Sequence, residues 1–140
     1  MPVEPWDIVV FQRHRDDDAN ESCPAERFFS EIPDSVAADL FAIIDAVAGS
    51  PPPQFTGGGM WEAMHGEMSG YYEARTRGPD RRLYRLFCIL EHEAEGLDGP
   101  SVVVLSGISK SVGTAFTKAD YAAVRRLGEE YRRRIPRSVV

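Results

Sequence analysis

Apolar positions recur along this chain with two different periods, and the change of period marks the elements. Trp6 to Phe11 (WDIVVF) is short, apolar and rich in β-formers, which predicts a first strand. The polar stretch RHRDDDANESCPAE follows and predicts a loop over about 12–26, with a short helical turn at Ala25 to Glu31. In DSVAADLFAIIDAVAGS, Val36, Leu40, Ile43, Ile44 and Val47 recur at spacings of three and four, so a helix with one apolar face is expected. Asp34 after Pro33 is its expected N-cap, and Gly49 with Pro51-Pro52-Pro53 ends it. PPPQFTGGG is a linker by composition. MWEAMHGEMSG predicts a short turn whose Trp61, Met64 and Met68 pack over a sheet. Two β-like runs then flank Gly78-Pro79-Asp80 between Gly70 and Leu90 (GYYEARTRGPDRRLYRLFCIL), which predicts a hairpin. After the turn-rich EHEAEGLDGP, the near-continuous apolar run Ser101 to Ile108 has the character of a central strand. Thr117 is the expected N-cap of a last helix over about 117–135, with Asp120 at the acidic position of a capping box. Tyr121, Val124, Leu127, Gly128 and Tyr131 mark its inner face.

This order, with strands following helices, predicts an α+β fold. A small antiparallel or mixed sheet of about four strands is expected, with helices packed on one face and the other face free to bind. A length of 140 residues fits a single domain over 1–140. No run of about 18 apolar residues occurs, so no membrane span is expected, and the N-terminus lacks the basic segment of a signal peptide. Cys23 and Cys88 match no metal spacing. Cys88, within LFCIL, is expected to be buried, and reduced thiols suggest a cytoplasmic location.

Charge changes this picture. The net charge is −6, yet residues 1–74 hold 3 basic and 14 acidic side chains, while residues 75–140 hold 13 basic and 8 acidic. Arg75, Arg77, Arg81, Arg82 and Arg85 cluster on the hairpin. A guanidinium binds phosphate through planar, bidentate hydrogen bonds and keeps its charge at any working pH. Alternation puts Glu73, Arg75 and Arg77 on one face of the first run, and the hairpin is a candidate phosphate-binding surface. Ion pairs with the acidic half are the competing explanation, although exposed pairs contribute only about 0–1 kcal/mol each. Asp16-Asp17-Asp18 lacks the spacing of a calcium loop, and the glycines of PPPQFTGGG lack the Lys-Ser/Thr of a phosphate loop. His65 is expected in a turn or packed, and His92 exposed. No metal or cofactor is called for, and no recognition helix for direct DNA binding is apparent.

The combination of a helix ending in Gly-Ser-Pro, G-x-M-x-G-Y-Y-E-A-R, L-Y-R-L-F, V-V-L-S-G-I-S-K and a last helix with R-R-L-x-x-x-Y resembles the RelE/HigB superfamily of bacterial toxins, in its phage-derived HigB-like branch. The resemblance spans about residues 34–135. It implies a toxin of a toxin–antitoxin pair that cleaves mRNA on the translating ribosome without a metal, with a small, helix-turn-helix type antitoxin as partner. Arg75, Arg85 and Lys110 match the basic positions that such toxins place on their RNA face. Arg77 and Arg82 would make general phosphate contacts. Glu73 would serve as a base or, as favoured here, as the ion-pair partner that positions Arg75. Tyr72 and Tyr84 would stack on bases on one face or belong to the core on the other. The related ParE branch implies a non-catalytic toxin of DNA gyrase, and an inactive relative acting as a binding module is a third reading.

Overall fold

The computed structural model describes residues 4–51, 53 and 59–140; most of the expected linker over 51–59 lies outside them. The elements run β1 (Asp7–Val10), α1 (Pro24–Ser30), α2 (Asp34–Ala48), β2 (Trp61–Ala63), a 3-10 turn at Gly66–Met68, β3 (Tyr72–Arg77), β4 (Arg82–Glu91), β5 (Ser101–Ser111) and α3 (Lys118–Arg133). The five strands form one mixed sheet in the order β1-β5-β4-β3-β2. β1 lies parallel to β5, and the other neighbours are antiparallel. The fold is α+β, as the element order predicts.

The layering differs from the expected one. Helices cover both faces of the sheet. On one face, the apolar stripe of α2 (Val36, Leu40, Ile43, Ile44, Val47) and Phe28 of α1 pack on Ala74, Tyr84, Leu86, Val102 and Val104. On the other, Val124 and Tyr131 of α3 meet Phe87, Ile89, Val103 and Leu105. The apolar run from Val102 to Leu105 in β5 follows from this double cover, since each buried Val or Leu contributes about 1.5–3 kcal/mol. Cys88 is fully buried. Tyr72 and Tyr84 face the α2 layer, where Tyr72 stacks on Trp61 with ring centroids 5.4 Å apart, so both belong to the core.

Of the three helices only α3 has a side-chain N-cap. Thr117 and Asp120 form a reciprocal capping box, with bonds of 3.1 and 2.8 Å. Asp34 is instead the first helical residue of α2, and Pro33, without a side-chain acceptor, occupies the cap. Its carboxylate lies in the first turn, where it complements the helix dipole rather than the free N–H groups.

One irregularity decides which side chains share a face. β4 and β5 pair in step from Arg82↔Ser111 to Phe87↔Ser106, and then Cys88 pairs with Val104. Leu105 is the extra residue of a β-bulge. Before it, Val102 and Val104 face α2. Strict alternation would carry Ser106, Ile108 and Lys110 to that same side. The bulge reverses the parity, so that Ile108 packs in the α3 layer and Lys110 reaches Asp120 of α3 at 3.1 Å.

Candidate functional site

The site is built on the α3 face of β3, β4 and β5, beyond the place where α3 starts. Arg75 and Arg85 stand directly opposite each other in the β3–β4 ladder. Two like charges in such a pair repel, and Glu73 lies between them. Its Oε1 is 3.6 Å from Arg75 Nε and its Oε2 is 3.5 Å from Arg85 Nη1. Glu62 on β2 adds a 2.6 Å ion pair to Arg75, and the Gly59 carbonyl accepts two bonds from the same guanidinium, at 2.8 and 3.1 Å. Arg75 is thus held from its far side.

Arg85 is fixed by different chemistry. Its Nη1 donates to the Tyr121 hydroxyl of α3 at 2.8 Å, and its guanidinium carbon lies 4.1 Å from the centre of the Phe116 ring. A cation over an aromatic face gains electrostatic attraction while leaving its edge N–H groups free to donate. Arg85 keeps about a fifth of its side-chain surface exposed. Lys110 completes the row through its ion pair with Asp120.

Glu73 is the unusual member. Only 6 % of it is exposed, and Oε2 has no hydrogen-bond partner among the described residues. Burial, the largest influence, raises its pKa; Arg85 and then Arg75 pull it down without cancelling that effect, and Glu62 adds a further push upward. Asp120 is the opposite case. The Thr117 backbone N–H holds its carboxyl below the ordinary range, with Lys110 helping.

The sequence-predicted residues therefore separate. Arg75, Arg85, Lys110 and Glu73 come together on the α3 face. Arg77 lies exposed at the end of β3 on the same alternation. Arg82 turns to the other face, where it donates to the Ser109 carbonyl and hydroxyl at 3.2 and 3.0 Å; it holds the β4–β5 ends together instead of joining the row. Glu73 touches both Arg75 and Arg85, rather than Arg75 alone.

A cleft of about 390 Å³ opens beside this row, between α3 and the β2 end of the sheet; Glu73, Tyr121, Lys118, His65 and Arg125 are among its lining residues. Several of these escape a reading of the sequence. Tyr121 has the spacing of a core residue and also carries a hydroxyl that bonds Arg85. Phe116 sits in a loop with no periodic signal. His65 is exposed at the start of the 3-10 turn, and only tertiary structure brings it to the cleft. His92, also exposed, lies edge-on to Trp6 at 4.9 Å, away from the site. Among the described residues no group of three or more His, Cys, Asp or Glu side chains is arranged to hold a metal ion, and no helix is long and apolar enough to cross a membrane.

No family model, curated protein or solved structure matches this chain.

Proposed function

We propose that this protein is a metal-independent endoribonuclease acting on mRNA, the toxin of a toxin–antitoxin pair of the RelE/HigB type. The observation that carries the reading is the row Arg75, Arg85 and Lys110 on one sheet face, with two of the three held by a buried carboxylate beside an open cleft. RNA cleavage through the 2′-hydroxyl creates extra negative charge on the scissile phosphate. Pre-positioned cations lower the free energy of that state without reorganising. Arg85 is the residue best prepared for this role, because Tyr121 and Phe116 hold its guanidinium in place while part of its side chain stays exposed. Lys110 and Arg75 flank it. Glu73 lies between Arg75 and Arg85, keeps the two arginines from repelling each other and positions both. The antitoxin would neutralise the protein by covering this row.

Primer extension on a reporter mRNA after brief induction tests the proposal, with Arg85→Ala run beside the wild type. New 5′ ends inside the coding region that vanish in the variant are expected. Removing a transition-state charge contact lowers the rate by about 100- to 1000-fold. A soluble, folded wild-type protein that produces no new ends would overturn the ribonuclease reading. An SOS response in the same cells would then favour a gyrase-directed toxin.

A further inference from the structure

The geometry points to the cleft beside Arg85 as a nucleobase subsite selective for guanine. This inference rests on the ribonuclease reading for its context, but it makes a claim about binding that can be tested without cleavage. Tyr121 belongs to two open clefts. One lies between α3 and the β2 end of the sheet, and the other, of about 440 Å³, is lined by Leu83, Arg85, Phe116 and the loop before it. A phosphate at Arg85 would therefore have an opening on each side, one for each of the nucleotides it joins.

The first cleft has the chemistry of a base pocket. Met64, Met68 and Tyr121 supply flat, polarisable, apolar surface, which suits an unstacked base. The wall formed by the sheet and the 3-10 turn carries three carboxylates, Glu62, Glu67 and Glu73, while Lys118 and Arg125 lie on the α3 wall. An acidic wall opposite a basic one orients a nucleotide, base edge to one side and phosphates to the other. Ionised carboxylates only accept hydrogen bonds. The guanine Watson–Crick edge presents two adjacent donors, N1–H and the exocyclic amine. Adenine and cytosine each present a donor beside an acceptor, and uracil one donor between acceptors. Glu62 and Glu67 are exposed and already paired, with Arg75 and Arg125. Glu73 also faces two arginines, at 3.5 and 3.6 Å, but it is buried, lines the cleft, and has one oxygen that makes no hydrogen bond among the described residues. The cost of removing that oxygen from water is already met in the folded protein, so a donor that reaches it as the carboxylate turns into the cleft gains nearly the full bond.

Titration of the full chain with nucleoside 3′-monophosphates, followed by methyl NMR of Met64 and Met68, tests this directly. The 3′-guanosine monophosphate is expected to shift both methyls and to bind at least about tenfold more tightly than the adenosine and uridine compounds, the size of one good two-point base contact. Inosine 3′-monophosphate, which lacks only the exocyclic amine, should lose most of that advantage against the unaltered protein. Glu73→Gln should lose it as well. Equal binding of all four common nucleotides would overturn base selectivity and reduce the site to phosphate binding, leaving the ribonuclease reading intact. Guanine preference in a protein that cuts no RNA would support the subsite while removing that reading. No methyl shift at millimolar concentrations would overturn the subsite.

Discussion

Arg85 depends on its neighbours in a way that a single substitution misreports. Arg85→Ala removes a cation from beside a buried carboxylate and leaves Glu73 with Arg75 as its nearest positive partner. An ionised group stranded in this way costs more than the original pair contributed. The double variant Arg85→Ala/Glu73→Gln is therefore expected to be more stable than Arg85→Ala by about 1–3 kcal/mol at neutral pH, as measured by urea denaturation. Glu73 also predicts a pH dependence. Its folded pKa is raised by burial, so its contribution to stability is fully present below the ordinary glutamate range and is lost as pH rises through the folded value. Gln cannot ionise. Across about pH 4 to 8, the melting temperature of Glu73→Gln should rise relative to the wild type as pH increases, and a constant difference between the two would contradict this assignment. The basic members of the site were legible in the sequence because alternation on β3 is regular and guanidinium chemistry is distinctive. The role of Glu73 was less so, because burial depends on what covers the strand.

Among the strands and helices, α3 shows how far local chemistry reaches. Thr117 and Asp120 define its start in the sequence, and the structure forms both bonds of the box. Thr117→Ala should lower stability by about 1 kcal/mol, and because Lys110 pairs with Asp120, it should also loosen Lys110. A chemical-denaturation curve reads the first effect, and broadened Lys110 side-chain NMR signals read the second. β2 is the counterexample. Three residues, Trp61–Ala63, carry too little periodicity to announce a strand, and only pairing with β3 makes them one. Gly107 records a further constraint invisible to pattern. A Cβ there would collide with the Phe28 ring of α1. Gly107→Ala is expected to destabilise by about 1–3 kcal/mol through overpacking, measured as a lowered urea midpoint at unchanged slope.

The charge asymmetry of the chain proves to be partly internal. The acidic first half pairs with the basic second half at Glu62–Arg75, Glu67–Arg125, Arg134–Asp17 and Arg134–Asp16. The run Asp16-Asp17-Asp18 thus acts on the end of α3, with the Arg134 hydrogen bond holding Asp17 low in pKa, instead of being a freely solvated loop. Net charge consequently understates how specific the remaining positive surface is. If Arg77 contacts a phosphate, Arg77→Ala should reduce the slope of log affinity against log salt by about 0.7 for single-stranded RNA, with the same slope in both proteins counting against that contact. The α+β class was readable from element order, but the two-sided layering was not, because an apolar stripe on a helix does not say which face of a sheet it will cover.

The extra residue Leu105 has a consequence for how such a site can be gained or lost. Position along β5 beyond it is a matter of odd and even counting. Deleting Leu105 would close the bulge and restore regular pairing, with Val104 still opposite Cys88 and Ser106 opposite Phe87, and would leave Ile108 and Lys110 on the α3 face. An unbulged strand of the present length would instead turn Ile108 toward α2 and exchange Lys110 with the serines on either side of it. The positive row thus survives a single-codon deletion at the bulge, whereas a single-codon insertion beyond it would disarm the row while sparing every arginine.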